Sequence, residues 1–131
     1  SKVYLYKDKA TKDALGELIA GNTGFQQEVP NYLVVTADVS AFYDTFERNQ
    51  VYVEAGLFSM ALVEALHYYG IGSCILQNGE YYKKNKKFKE ICKNIPENER
   101  IILFVATGYY KNEFSYAMSL RKNVEDVFIV K

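Results

Sequence analysis

The chain has 131 residues, of which 49% are hydrophobic and 15% aromatic. Its sixteen basic and sixteen acidic side chains cancel, so the net charge gives no indication of a nucleic-acid or membrane-surface partner. This length and apolar content predict one domain, residues 1–131, with a core that buries roughly two-thirds of the unfolded surface.

The first residues are charged and lack the apolar stretch of a signal peptide. Cys74 and Cys92 lie far apart and outside any metal-binding or redox spacing. We therefore expect two reduced, buried thiols in a cytoplasmic protein.

Strands and helices alternate along the chain, which predicts an α/β or α+β class. Thr11 is the expected cap of the first helix, and Gly21 and Gly70 are expected helix ends. In chain order we predict a strand at 2–7, a helix at 11–20, a strand at 32–37, a short helical turn capped by Ser40, a helix at 50–69, a strand at 71–76, a helix at 80–93, and strands at 101–107 and 127–130.

The most informative segment is 51–66, which is apolar or small at nearly every position, with Glu54 and Glu64 as its only charges. A helix that is apolar most of the way round must be covered on several sides. It is too short, and too often interrupted by polar residues, for a good membrane span. We predict a central helix shared by two copies of the chain. In the assembled protein its buried side chains should include Leu57, Met60, Leu62 and Leu66.

Motifs that hold nucleotides or metals are lacking from the sequence. The segment 70–72 (GIG) has no third glycine and precedes a strand, so it is not a dinucleotide fingerprint. His67 is the only histidine, which leaves little material for a metal cluster or a catalytic triad. The lysine-rich helix at 80–93 has two interpretations, a solvated face or a surface that attracts an anion.

Two polar segments are candidate binding sites. The turn ILQNG at 75–79 follows a predicted strand, where backbone amides can face a ligand, although it could equally be an ordinary connection. Arg121 and Lys122 lie in a polar connection. Arg121 has the planar fork that binds phosphate through two hydrogen bonds, but the pair is also compatible with ordinary surface residues.

Several segments, taken in order, resemble the C-terminal half of the nitroreductase family of flavin-dependent oxidoreductases, from about residue 29 onward. They are QVYVEAG at 50–56 with the helix that continues it, GIGSC at 70–74, the turn after it, residues 104–109, and Arg121-Lys122. ERNQ at 47–50, GLF at 56–58 and GSC at 72–74 are similar to one subgroup of nitroreductase-like proteins.

This resemblance implies an α+β fold with a central antiparallel or mixed sheet, a long buried helix and an intertwined homodimer with FMN between the subunits. It implies an NAD(P)H-dependent oxidoreductase that reduces a small electron-poor acceptor such as a nitro compound or a quinone. No catalytic side chain is expected, because the flavin supplies the chemistry. The implied cofactor-binding residues are Ile75, Leu76, Gln77 and Asn78 beside the flavin ring, and Arg121 with Lys122 at the FMN phosphate.

The chain departs from the family in two respects. Ile75 and Asn78 replace the proline and glycine that are frequent in this turn. Members are normally longer, with N-terminal FMN-contacting segments that have no counterpart in this sequence, so the expected fold is incomplete. Three alternatives follow: a natural short form, a fragment of a longer protein, or a non-catalytic dimerisation or binding module that has lost the FMN site.

Overall fold

A computed structural model describes residues 1–78, 82–116 and 118–130. The helices and strands are β1 (Lys2–Tyr6), α1 (Lys9–Leu18), β2 (Asn31–Asp38), α2 (Gln50–Tyr68), β3 (Ile71–Gln77), α3 (Tyr82–Ile91), β4 (Glu99–Tyr109) and α4 (Val124–Val127). Short 3₁₀ turns occur at Gln26–Glu28, Val39–Ala41 and Thr45–Glu47. The class is α+β, as the sequence predicts.

The strands form one four-stranded sheet in the order β1-β2-β4-β3. Every neighbouring pair is antiparallel. The pairing of β2 with β4 shifts after Val35, where Leu103 and Ile101 are successive partners and Ile102 is the extra residue on β4. Within the described residues, β3 pairs with β4 alone, so the other side of β3 is an open edge of the sheet.

Helices α1 and α3 cover one face of the sheet, which we call the closed face. Its core contains side chains from all four strands and from both helices. The ring centroids of Phe88 in α3 and Phe104 in β4 lie 4.6 Å apart. Burying each large side chain stabilises the fold by about 1.5–3 kcal/mol. The buried residues are Tyr6, Leu15, Ile19, Val29, Tyr32, Val34, Leu76, Phe88, Cys92, Ile95, Ile101, Phe104 and Ala106.

Helix α2 lies against the opposite face, where Val51 and Ala55 pack with Ala37 of β2. Ser59 is also buried, and its hydroxyl donates to the Ala55 carbonyl at 2.6 Å. These positions are four residues apart and form one stripe of the helix. The outer side is exposed and, apart from Glu64, apolar, and we call its apolar side chains the open stripe: Val53, Leu57, Met60 and Tyr68.

The sequence predicts that α2 is covered on several sides. In the structure, a single chain covers only the side of α2 that carries Val51, Ala55 and Ser59. Leu57 is 71% exposed and Met60 is 52% exposed, while Leu62 and Leu66 are half-buried. The burial of these four side chains in an assembled protein stays a prediction. No helix within the described residues is long and apolar enough to cross a membrane.

Most predicted elements are present within one or two residues of their predicted bounds. The helix cap was wrongly predicted: Asp8, not Thr11, caps α1, and its carboxylate accepts from the Thr11 amide at 2.9 Å. Ser40 is likewise not a cap, since its amide and its hydroxyl both donate to Asp38. Aspartate is a strong acceptor for amides at a helix start.

Two further predictions were wrong. Residues 127–130 do not form a strand, because α4 ends at Val127 and residues 128–130 lie exposed without a pairing strand. Cys74 is exposed rather than buried, since it lies on the edge strand β3, while Cys92 is buried as predicted. The predicted helix at 80–93 is described from Tyr82 onward, so Tyr81, predicted to face inward, lies outside the described residues.

Candidate functional site

The candidate flavin-ring residues lie at the end of β3, where side chains alternate between the two faces of the sheet. Leu76 is only 2% exposed and lies in the closed-face core. Ile75 is 47% exposed, and Gln77 is exposed on the same side as Ile75. The strand end is thus held by one buried side chain and presents one apolar and one amide side chain on its accessible face.

Asn78 directly follows β3, and its side chain forms hydrogen bonds with two neighbouring elements. Its side-chain amide nitrogen donates to the Ile101 carbonyl at 2.9 Å and to the side-chain oxygen of Asn85 in α3 at 3.2 Å. Its own side-chain oxygen is buried and has no hydrogen-bond partner among the described residues. The Asn78 side chain therefore ties the end of β3 to β4 and to α3.

The candidate phosphate residues lie on a different element. Arg121 and Lys122 are both exposed in the C-terminal segment, which we define as residues 110–130. Arg121 donates a hydrogen bond to Ser119 of the same segment. Among the hydrogen bonds and ion pairs of the described residues, none joins Arg121 or Lys122 to β3.

The C-terminal segment itself leaves many large apolar side chains in solvent. Its contacts with the rest of the chain lie near its start, where Tyr110 approaches His67 at 3.4 Å and Lys111 forms an ion pair with Glu28. The exposed apolar side chains are Tyr110, Phe114, Tyr116, Met118, Leu120, Val124, Val127, Phe128, Ile129 and Val130.

Three cavities lie elsewhere. One of about 310 Å³ is lined by apolar side chains that include Leu33, Leu66 and Ile71, near the start of β3. One of about 250 Å³ lies beside Cys74. One of about 270 Å³ is lined by Asn85, Glu99 and Ile101 among others. Neither Gln77 nor Arg121 lines any of these three cavities.

Glu99, at the start of β4, is the one charged side chain that is buried among the described residues. It is 1% exposed and accepts hydrogen bonds from Lys2 at 2.5 Å, from Thr36 at 2.7 Å and from Tyr4 at 2.8 Å. Burial alone would raise the pKa of this carboxyl, but the three donors outweigh burial and lower its pKa below the ordinary value. Glu99 thus joins β1, β2 and β4 as a carboxylate.

The cysteines and the histidine give no indication of catalysis by side chains. Although Cys74 is exposed as a residue, neighbouring atoms partly shield its thiol from water, and this raises the thiol pKa and keeps it protonated and a poor nucleophile. Within the part of the chain that the structure describes, no three His, Cys, Asp or Glu side chains are grouped as metal ligands would be. His67, the only histidine, is exposed and lies beside Tyr110.

Comparison with solved structures places this architecture. A nitroreductase family protein from Streptococcus pneumoniae TIGR4 is similar with a TM-score of 0.80 and 19% identity, over 99% of this chain and 78% of that one. An FMN-dependent nitroreductase from Clostridium difficile R20291 is similar with a TM-score of 0.67 and 22% identity, over 96% of this chain and 69% of that one. The chain has the nitroreductase fold.

A third similar structure, from Parabacteroides distasonis ATCC 8503, carries the name NADH dehydrogenase/NAD(P)H nitroreductase as a provisional assignment. Its TM-score is 0.78 at 15% identity, over 97% of this chain and 70% of that one. The nitroreductase likeness therefore includes β1 and α1 and is not limited to the part after residue 29. No family model matches the sequence, and no curated protein matches it significantly.

The residues at the β3 end fit one half of an FMN molecule. A planar aromatic ring needs an apolar surface and polar groups along one edge, and exposed Ile75 beside the open edge of β3 offers both. The phosphate half needs fixed positive charge, which Arg121 and Lys122 carry on the separate C-terminal segment. Among the described residues, no hydrogen bond or ion pair brings these two groups of candidate residues together within one chain.

The sequence-based prediction gave residues 75–78 one common role beside the flavin ring. The structure separates them, since Leu76 packs inside, Asn78 binds Ile101 and Asn85, and Ile75 and Gln77 are accessible. The alternation of a strand was a usable signal for Leu76. Asn85 was missed, because a single asparagine among the lysines of a helix carries no recognisable pattern.

Proposed function

We propose that this protein is a flavin oxidoreductase that uses FMN to oxidise NAD(P)H and to reduce a small electron-poor acceptor, such as a nitro compound or a quinone. The observation that carries the proposal is the accessible end of β3 within a nitroreductase fold. Ile75 and Gln77 are both exposed there, on the edge strand of the sheet. The name of one similar structure, an FMN-dependent nitroreductase, supports the choice of cofactor.

In this proposal FMN, when bound, supplies the atom that accepts and donates hydride. The chain's own residues bind and orient the ring system. Ile75 provides an apolar contact for one ring face, and the backbone at Gln77 provides polar groups along the ring edge. Leu76 holds this backbone in place from the closed-face core, since it is buried among side chains of the sheet and of α3.

The phosphate end of the cofactor would be bound by Arg121 and Lys122. A guanidinium remains charged at any working pH and offers a planar pair of donors to phosphate oxygens. Both residues are exposed, so they are accessible to such a ligand.

We further propose that the active form is a homodimer, in which the open stripe of α2 and the C-terminal segment of one copy pack on the other. Exposed apolar side chains on this scale are unusual for a monomer and are typical of an association surface. The dimer would also bring Arg121 and Lys122 of one copy to the β3 end of the other, which completes the site. We propose that each copy is a single domain, residues 1–131, and that the protein lies in the cytoplasm. Both cysteines are free.

A second candidate function is a non-catalytic dimerisation or binding module that has kept the fold without the cofactor. The observation in its favour is that the phosphate residues and the ring residues are not joined within one described chain. The two candidates differ in one property that is directly measurable, namely FMN binding.

The test is reconstitution. The purified protein should carry flavin absorbance bands or acquire them when FMN is added, and the flavin fluorescence should change on binding. The loaded protein should then consume NADH or NADPH when a nitroaromatic compound or a quinone is present. If it remains colourless and does not bind added FMN at micromolar concentration, the oxidoreductase proposal is wrong and the binding-module alternative stands.

A further inference from the structure

The end of β3 is fixed by a side chain rather than by the backbone. The pairing of β3 with β4 ends at Gln77 opposite Leu103. Ile101 lies two residues before Leu103 in β4, and its backbone carbonyl accepts a hydrogen bond from the Asn78 side-chain nitrogen at 2.9 Å. The same amide group donates to Asn85 in α3 at 3.2 Å. The Asn78 side chain thus continues the contact with β4 where the strand pairing stops.

We infer that Asn78 is a positioning residue for the flavin-binding strand end and acts through the backbone of Gln77, not by touching the flavin. The inference rests on the proposed function, since it assigns a role within the same site. Gln77 lies between two fixed neighbours, buried Leu76 on one side and tied Asn78 on the other, while its own side chain is exposed. The Gln77 backbone is therefore fixed by its two neighbours, while the Gln77 side chain remains exposed.

The direction of the Asn78 amide follows from its partners. The Ile101 carbonyl can only accept, so the nitrogen side of the Asn78 amide must face it. Both amide hydrogens have acceptors, whereas the Asn78 side-chain oxygen has no partner in the described part of the chain. Donation is therefore what this side chain contributes, and a residue of the same size without donors should fail to replace it.

The decisive variant is Asn78→Asp, which keeps the size and puts a carboxylate oxygen against the Ile101 carbonyl. Gln77→Glu is the matched control, because it introduces the same charge one residue away on an exposed side chain. Asn78→Ala removes the donors without adding charge, and Asn85→Ala removes only the longer of the two contacts. Backbone hydrogen exchange over residues 71–78, measured by mass spectrometry on the full chain, reports on the strand end without any cofactor.

We expect exchange over residues 71–78 to become about tenfold faster in Asn78→Ala and faster still in Asn78→Asp, which corresponds to the loss of about one hydrogen bond. Asn85→Ala should change exchange less, and Gln77→Glu should leave it as in the wild type. With FMN added, both Asn78 variants should bind it about tenfold more weakly. They should also alter the visible circular dichroism of the bound flavin, which depends on ring orientation and not on overall stability.

Each other outcome is decisive. If exchange is unchanged in Asn78→Asp, Asn78 does not hold the strand end and the inference is wrong. If exchange accelerates but FMN affinity and flavin dichroism stay at wild-type values, Asn78 is structural only; this overturns the inference and leaves the proposed function intact. If the wild type itself binds no FMN, the proposed function fails and the positioning role fails with it, whatever the exchange data show.

Discussion

The two faces of the sheet differ in how completely the chain covers them. On the closed face, α1 and α3 enclose side chains from all four strands, and Leu15 and Phe104 are fully buried. On the other face, α2 buries one stripe, while Leu57 on its opposite side is 71% exposed. The chain thus completes one core by itself, and we propose that a second copy completes the other.

The comparison separates the hydrophobicity of a helix from its burial. α3 carries many lysines, yet it completes the closed-face core through Phe88, which is 2% exposed. α2 is far more apolar and is far less covered by its own chain. The apolar area of a helix therefore does not by itself indicate how much of that helix a single chain buries.

The largest effect should come from a matched pair of substitutions, one in each helix layer. Leu15→Ala in α1 removes a fully buried side chain and should lower the free energy of unfolding by about 2–5 kcal/mol. Leu57→Ala in α2 makes the same chemical change at an exposed position and should lower it by less than about 0.5 kcal/mol. Urea denaturation at a protein concentration low enough to keep the chain monomeric measures both.

Equal losses at the two positions would contradict the comparison, because they would mean that Leu57 is buried within a single chain. At high protein concentration the losses of unfolding free energy in the two variants should become more similar. Association then adds to the apparent stability of the wild type but not to that of Leu57→Ala.

The second prediction concerns association. Leu57→Glu places a charge in the middle of the open stripe and should raise the dimer dissociation constant at least about a hundredfold, as expected for an apolar residue at the centre of an interface. Lys87→Glu, an exposed position on α3, is the control and should leave association unchanged. Sedimentation velocity over a range of concentrations measures both. A wild type that stays monomeric at micromolar concentration would refute the homodimer.

The fold could be predicted from the sequence to a large extent, because its signals are local. The alternation in β1, the apolar run of β4 and the glycine after α2 each mark an element independently of the rest of the chain. Gly70 ends α2 with a φ of 71°, a conformation that strongly favours glycine.

The errors arose where the outcome depends on a partner. Residues 127–130 have the composition of a strand, but a strand forms only beside another, and among the described residues they pair with none. Within the candidate site, the burial of Leu76 and the hydrogen bonds of Asn78 could not be predicted for the same reason, since both depend on distant segments that pack against them. Sequence patterns report the preference of a segment, while contacts between distant segments decide its role.

The third prediction tests whether the C-terminal segment belongs to the site. Arg121→Ala should weaken FMN binding about ten- to a hundredfold, since a hydrogen bond to a charged group is worth roughly 1.5–3 kcal/mol. Arg121→Lys should lose less, because it keeps the charge but not the planar fork. Fluorescence titration with FMN measures the affinities. Riboflavin, which has no phosphate, is the control ligand and should bind wild type and variants alike. Equal FMN affinity in wild type and Arg121→Ala would exclude Arg121 from the site.

The smallest effect should come from Glu99, the polar connection on the closed face. Glu99→Gln keeps the shape and one acceptor oxygen but removes the charge that Lys2, Tyr4 and Thr36 bind, so it should cost about 1 kcal/mol of stability at neutral pH. Glu97→Gln, at an exposed neighbouring position, is the control and should cost less than about 0.5 kcal/mol.

The pH dependence of this loss distinguishes a bound carboxylate from simple packing. Because the folded-state pKa of Glu99 lies below its ordinary value of 4.5, its contribution to stability is complete above that pH. It decreases as the pH falls through the folded-state pKa, where the carboxylate takes up a proton in the native protein as well. The difference in unfolding free energy between wild type and Glu99→Gln should therefore be constant from pH 8 to about pH 5 and should shrink below about pH 4. Urea denaturation at a series of pH values measures it, and a difference that is constant down to pH 3 would show that the Glu99 charge contributes nothing to the fold.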